Sequence, residues 1–206
     1  MAIAKQNSVS VPNRRQETRR KKELKDARTI RTRRRIDAAF VELLFRRSYG
    51  GIRVSDITRK AGVGRATFYA HYAAKDDLLR SQFERGVGPM IIASPADPCL
   101  LDAVRFFDHV RNAGHIYKAL MGPHAGSAPR VLRGCFESRA RQALALDPGY
   151  TPGLKHDALA RFVASSLITI TECWLERGAR ETPQQVQALF ASLVSPGVRT
   201  CRKSKS

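Results

Sequence analysis

From Ile36 onward the apolar residues fall into stripes of helical period, and no convincing period-two run interrupts them. Ile36, Ala39, Phe40, Leu43 and Leu44 stand at i, i+3, i+4, i+7 and i+8, which predicts an amphipathic helix from about Arg31. The two glycines of Ser48–Gly51 predict a left-handed end to it. Val54, Ile57 and Ala61 mark a short second helix that Gly62 stops. Val63 is expected to plug the corner from inside. Gly64 restarts the chain, and Phe68 and Tyr72 give a very short third helix its inward face. Leu78, Leu79 and Phe83 do the same for a fourth, whose first turn carries Asp76 and Asp77 in agreement with the helix dipole.

The pattern continues beyond Phe83, after the interruptions "GVGPM" and "SPADP". Leu100, Val104 and Phe107 form one stripe, "IYKALMG" a short apolar helix, and Leu132, Phe136 and Ala140 another stripe before the break at "DPGYTPG". Between Ala158 and Leu175 only Arg161 and Glu172 are charged. A helix apolar on nearly every side is buried on nearly every side, here by its own protomer and by a second copy. Thr182 is expected to cap a last helix that Pro183 opens. Two such helices per subunit predict a four-helix bundle across a two-fold axis, with Leu159, Phe162, Val163, Ser166, Ile170, Val186, Leu189, Phe190 and Leu193 as interface candidates. The expected fold is all-α, a three-helix helix-turn-helix domain followed by a larger helical domain, with about nine helices in total. The expected boundaries are 1–27 for a disordered basic arm, 28–84 for the first domain, 85–197 for the second and 198–206 for a basic disordered tail.

Charge sharpens this picture. The formal net charge is +19, and residues 1–35 hold thirteen Lys/Arg against three Asp/Glu. Such an excess attracts nucleic acid or anionic surfaces and does not bear on fold. Arg33, Arg34 and Arg35 crowd the expected start of the first helix, where the dipole disfavours cations, so an anionic partner is expected to compensate. Four well-separated cysteines without a C-x-x-C argue against a zinc ribbon and a disulfide scaffold, and three are expected to be small core residues. No segment is expected to approach the roughly 18 apolar residues of a membrane span, and no apolar leader is read at the start. A cytoplasmic protein without a membrane partner is the expectation.

Short helices joined by a glycine corner resemble a helix-turn-helix unit. Its outward residues would be Arg65, Ala66, Thr67, Tyr69, Ala70 and His71, donors interleaved with small side chains that suit a helix lying close inside a major groove. The segment "IRVSDITRKAGVGRATFYAHYAAKDDLL" resembles the N-terminal signature of TetR-family transcriptional regulators, over about residues 30–83. A dinucleotide-binding loop is disfavoured, because "GVGRAT" lacks the third glycine and follows a helix. The resemblance implies that Arg65 and Thr67 reach base edges, that Ala66 and Ala70 contact thymine methyls, and that Tyr69, His71 and Lys75 bind phosphate, joined by Arg53 and Ser55 from the second helix. Two departures stand out. Arg53 occupies a position usually held by Thr and cannot cap, and Gly64 replaces a usual Ser.

The resemblance also implies a homodimer on duplex operator DNA and a small-molecule effector, with no cofactor and no metal. Phe106, Phe107, Tyr117, Met121, Phe136, Phe162 and Trp174 are the candidate pocket residues, with His109, His115 and His124 as possible polar contacts. The expected function is that of a ligand-released repressor. The alternatives are a nonspecific nucleic-acid-binding protein driven by the basic tail, and a small enzyme, for which no G-x-S-x-G, P-loop or H-E-x-x-H is present.

Overall fold

The computed structural model describes residues 14–93, 99–146 and 152–203. It is all-α, with nine α-helices among the described residues: α1 (Arg14–Leu44), α2 (Val54–Ala61), α3 (Arg65–Tyr69), α4 (Lys75–Gln82), α5 (Val104–Asn112), α6 (Gly114–Met121), α7 (Ala128–Ala145), α8 (Leu154–Glu176) and α9 (Pro183–Lys203). A two-residue antiparallel ladder, β1 (Ile92–Ala93) with β2 (Leu101–Asp102), is the described sheet. Leu100 is buried beside that ladder and lies outside α5, so it does not continue the helical stripe of Val104 and Phe107.

Helix α1 packs on α2 through Ile36, Ala39, Phe40 and Leu44, all buried against Ile57, Phe68, Leu78 and Phe83. It begins seventeen residues before Arg31, so the arm expected to be disordered is helical from Arg14 to residue 27; residues 1–13 lie outside the described residues. No apolar stripe marked this stretch, because its described side chains are exposed all round. It does hold good helix formers and an i,i+4 pair, Arg19–Glu23 at 3.0 Å. Arg33, Arg34 and Arg35 therefore stand in mid-helix, away from any dipole end.

The corner between α1 and α2 also differs from expectation. Gly50 and Gly51 sit in a 3-10 turn, Tyr49–Gly51, with negative φ. Gly50 is needed for close approach, since a Cβ there would lie 2.5 Å from the His124 carbonyl oxygen. Gly62, by contrast, takes φ +62° and ends α2 in the left-handed conformation as expected. After α4 the chain makes a π-helical turn, Phe83–Val87, and a 3-10 turn, Gly88–Met90.

Helices α7, α8 and α9 form the largest contact surfaces of the C-terminal half, and α5 packs across α9. Thr182 caps α9: the Gln185 amide donates to Thr182 Oγ1 at 3.3 Å, and the Thr182 amide donates back to Gln185 Oε1 at 2.8 Å. Helix α9 runs through Pro196 to Lys203, so residues 198–203 are helical where a disordered tail was expected; 204–206 lie outside the described residues. Helix α8 has the length and hydropathy of a membrane span, contrary to the expectation that no segment would. Its most apolar window is 56% buried inside the protein, and packing between α7 and α9 accounts for the composition. Cys99 and Cys135 are buried as expected, whereas Cys173 is exposed on α8.

Candidate functional site

The α2–turn–α3 unit is held from within. Phe68 is fully buried, and Tyr72 is buried with its hydroxyl donating to Asp37 Oδ1 of α1 at 2.7 Å. Arg85 donates to the other oxygen of Asp37 at 2.6 Å, so the aromatic anchor, α1 and the π-helical turn share one carboxylate. Val63 packs against the core but stays half-exposed. With the inward side fixed, Arg65, Ala66, Thr67, Tyr69 and Ala70 are left facing out. All five are exposed, Tyr69 at 48%. His71 is half-buried beside the Tyr72 ring.

Arg53 and Ser55 are exposed at the start of α2. The Arg53 side chain makes no cap, as expected, but the helix start is fixed from the other side. Asp56 accepts the Arg53 backbone N–H at 3.0 Å and pairs with Arg59 at 2.7 Å. The backbone hydrogen bond from Arg53 lowers the Asp56 pKa, with Arg59 and Arg47 adding to it against a smaller desolvation cost. The acidic residue three places into the helix was the available signal.

Lys75 is placed otherwise than expected. Its ammonium turns inward, donating to the carbonyls of Tyr49 (2.8 Å) and Ile52 (2.7 Å) and lying 4.0 Å from the Tyr49 ring centroid. Desolvation lowers its pKa, with Asp76 opposing. Two of its three N–H groups thus hold the turn just before Arg53.

One wall of the outward surface comes from α1, where the sequence pointed to an anionic partner for Arg35 but not for Arg28, Arg31 or Thr32. Arg28, Arg31, Thr32 and Arg35 of α1 face Gly62, Val63, Gly64 and Thr67 across a cleft of about 400 Å³. Arg35 closes its floor by donating to the Gly62 carbonyl at 3.0 Å.

The candidate pocket residues separate into three groups. Phe106, Phe107 and Phe136 are fully buried and fill the core, with ring centroids 5.3 Å apart for Phe106–Phe136 and 5.9 Å for Phe107–Trp174. Met121 is half-buried at the core edge, and Phe162 is 47% exposed on α8. Tyr117 borders a cavity that neither of them lines. That cavity, about 270 Å³, lies between α1 (Phe40, Val41, Leu44), α4 and its π-helical extension (Leu79, Gln82, Phe83, Gly86, Val87), and Met90, His109, Ile116, Tyr117, Leu120 and Leu132. Its polar members are Gln82, His109 and Tyr117. Gln82 Nε2 and the Tyr117 hydroxyl are buried without a hydrogen-bond partner among the described residues. Desolvation lowers the His109 pKa, with Asp108 opposing, which favours the neutral imidazole. A larger polar cleft of about 690 Å³ lies outside, between α5 and the start of α9, and Met90 and His109 border both spaces. Among the described residues no cluster could hold a metal ion.

The interface candidates also divide. Leu159, Val163, Ile170, Val186 and Phe190 are buried within the protomer, joining α8 to α9, and do not present themselves to a second copy. Ser166 is half-buried. Phe162, Leu189 and Leu193 are 47%, 51% and 55% exposed. Periodicity marked both faces of these helices alike and could not tell which one the protomer itself covers.

Comparison with known proteins bears on the helix-turn-helix unit. Residues 36–81 match the family described as bacterial regulatory proteins, tetR family. The chain is 43% identical over 74 residues to YxbF of Bacillus subtilis (strain 168), an uncharacterized HTH-type transcriptional regulator; the match covers 35% of this chain and 20% of that protein. A TetR transcriptional regulator from Streptococcus agalactiae 2603V has a similar fold, with TM-score 0.59 and 24% identity over 84% of this chain and 98% of that one. The dihydroxyacetone kinase operon activator DhaS is similar at TM-score 0.52 and 18% identity, over 82% of this chain and 97% of that one. The last two likenesses extend to the fold.

Proposed function

We propose that this chain, which its helix-turn-helix domain makes a member of the TetR family of bacterial regulatory proteins, is a homodimeric repressor released from a pseudo-palindromic operator by a small ligand. Residues 28–84 form the reading domain and 85–197 the ligand-binding and dimerisation domain. The observation that carries the reading is the split of residues 65–72: Phe68 and Tyr72 are locked inward while Arg65, Ala66, Thr67, Tyr69 and Ala70 stand exposed. A rod with donors and small residues outermost fits a major groove. There Arg65 can take a guanine by two hydrogen bonds, worth about 1–3 kcal/mol of discrimination. Arg53, Ser55, Tyr69 and His71 grip phosphate. Lys75 contributes by holding the turn that presents Arg53 and Ser55.

The second copy covers Phe162, Leu189 and Leu193, large apolar groups left exposed on α8 and α9. The two-fold axis then presents two reading heads to two half-sites. The ligand occupies the cavity behind α4. It is small, since the space is below the usual range for drug-sized compounds. It is also neutral and ring-shaped, because the lining is apolar and aromatic, carries no charged partner, and offers Gln82 and Tyr117 as unpaired hydrogen-bonding groups to a carbonyl or hydroxyl. Met90 and His109 stand where the outer cleft meets this space and form its mouth. A ligand wedged between α4 and α6 favours a spacing of the heads that no longer fits DNA, and its differential affinity for the two spacings sets the size of the response. No catalytic chemistry is assigned to the chain.

Competition binding tests the proposal. A selected operator is expected to outcompete bulk DNA by roughly 10³-fold or more, and acetophenone, a neutral ring with one carbonyl acceptor, is expected to lower operator affinity while benzoate does not. Equal affinity for all duplexes would favour the nonspecific binder that the charge of +19 also suits.

A further inference from the structure

Helix α1 is longer than its packing requires. Ile36 is the first buried residue of its described part, and between Arg19 and Arg35 only Thr32 among the described side chains is even half-buried. The stretch from Arg14 to Arg35 extends about 33 Å at 1.5 Å per residue. A helix that packs no side against a core gains nothing from one, so its retention as one rigid extension calls for a partner.

Arg20, Arg28, Arg31 and Arg35 follow one another at steps of eight, three and four, which places them on one face, with Glu23 at its edge and Asp26 on the far side; Arg19, Lys22, Lys25, Arg33 and Arg34 add positive charge on the remaining sides. That basic face is the one beside the reading head, because Arg28, Arg31 and Arg35 form the wall of the cleft opposite Gly64 and Thr67. The stripe is thus continuous with the outward side of α3.

We propose that the N-terminal extension of α1 is a second DNA-binding element, lying along the phosphates that flank each operator half-site. From Arg20 to Arg35 the face covers about 22 Å, the rise of some six base pairs at roughly 3.4 Å of duplex axis each. The partner is duplex DNA, because a row of guanidinium groups at this spacing, continuous with the recognition surface, complements a phosphate ribbon. These contacts position the protein and carry no base preference. The inference rests on the DNA-binding reading above and adds to it a longer footprint.

The test uses the full chain with Arg20→Gln, Arg28→Gln and Arg31→Gln together, and Lys22→Gln on the opposite face as control. Glutamine keeps helix propensity, so circular dichroism is expected to be unchanged. The triple variant is expected to lose the outermost protected phosphates in a hydroxyl-radical footprint, to keep the operator's base preference, and to show a log affinity against log salt slope shallower by roughly 2.7, about 0.9 per phosphate contact removed. Lys22→Gln is expected to keep both. An unchanged footprint and slope in the triple variant overturns the inference, as does an equal loss in the control. A wild-type chain with no operator preference contradicts the proposed function instead, and the slope comparison on bulk DNA still decides this point.

Discussion

The Ser127 hydroxyl, at the head of α7, donates to Asp76 Oδ1, in the first turn of α4, across 2.7 Å. Tyr49 donates to the same oxygen at 2.6 Å, and the Gly50 amide donates to the His124 carbonyl at 3.0 Å. One carboxylate thus ties the 3-10 turn before α2, the start of α4 and the head of α7 together. Hydrogen bonds to a charged acceptor contribute about 1.5–3 kcal/mol each. Ser127→Ala is therefore expected to lower the melting temperature by about 3–12 °C, at about 2–4 °C per kcal/mol for a chain of this size. Thermal denaturation of the two proteins side by side checks this, and an unchanged midpoint would contradict it.

Asp76 also gives the latch a pH dependence. Burial acts to raise its pKa, but hydrogen bonds from Tyr49 and Ser127, with Arg130 and Lys75, outweigh burial and hold it below the ordinary carboxylate value. A folded-state pKa below the unfolded one stabilises the protein fully above the unfolded value of about 3.9, and that stabilisation is lost as pH falls through the folded value. Urea denaturation from pH 7 down to pH 3 is expected to show a decline in the acid range that is shallower in Asp76→Asn. Parallel curves for the two proteins would contradict the linkage.

Tyr117 separates a ligand role from a packing role. Its buried hydroxyl has no partner among the described residues, and burial raises its pKa, keeping it protonated. Removing an unsatisfied buried hydroxyl is neutral or stabilising, by up to about 1–3 kcal/mol. Tyr117→Phe is expected to keep or raise stability while weakening acetophenone binding about ten-fold in calorimetry. A loss of stability would assign the hydroxyl to the fold.

Leu193 is exposed on α9, so a charge there leaves the protomer core intact. Leu193→Glu is expected to sediment as a folded monomer and to bind a two-half-site operator at least 100-fold more weakly. A dimer in the variant would place the interface elsewhere.

The helix-turn-helix unit was legible in the sequence because its constraints are local. Gly62 must turn left-handed, Phe68 and Tyr72 must face in, and the residues between them have only the outside left. The corner at Gly50 was misread because its glycine serves a contact with His124, seventy-four residues away, and not a backbone angle. Lys75 and Asp76 were hidden for the same reason: their partners Ile52 and Ser127 belong to other elements. In the C-terminal half, an apolar stripe could announce burial but not its partner. Phe106 and Phe136 fill one another's space while Gln82, a polar residue on α4, borders the cavity. The extension of α1 escaped a search for periodicity because a helix exposed on all sides has no stripe to find.

The central claim is that the exposed side of α3 reads bases. Selection of bound fragments from a random duplex library, with wild type, Arg65→Ala and Tyr69→Phe in parallel, tests it most directly. The expected result is a two-fold symmetric motif for wild type, the same motif with one position relaxed in each half-site for Arg65→Ala, and an unchanged motif at uniformly lower affinity for Tyr69→Phe. An Arg65→Ala motif identical to wild type at every position, or no motif at all from the wild-type protein, would contradict it.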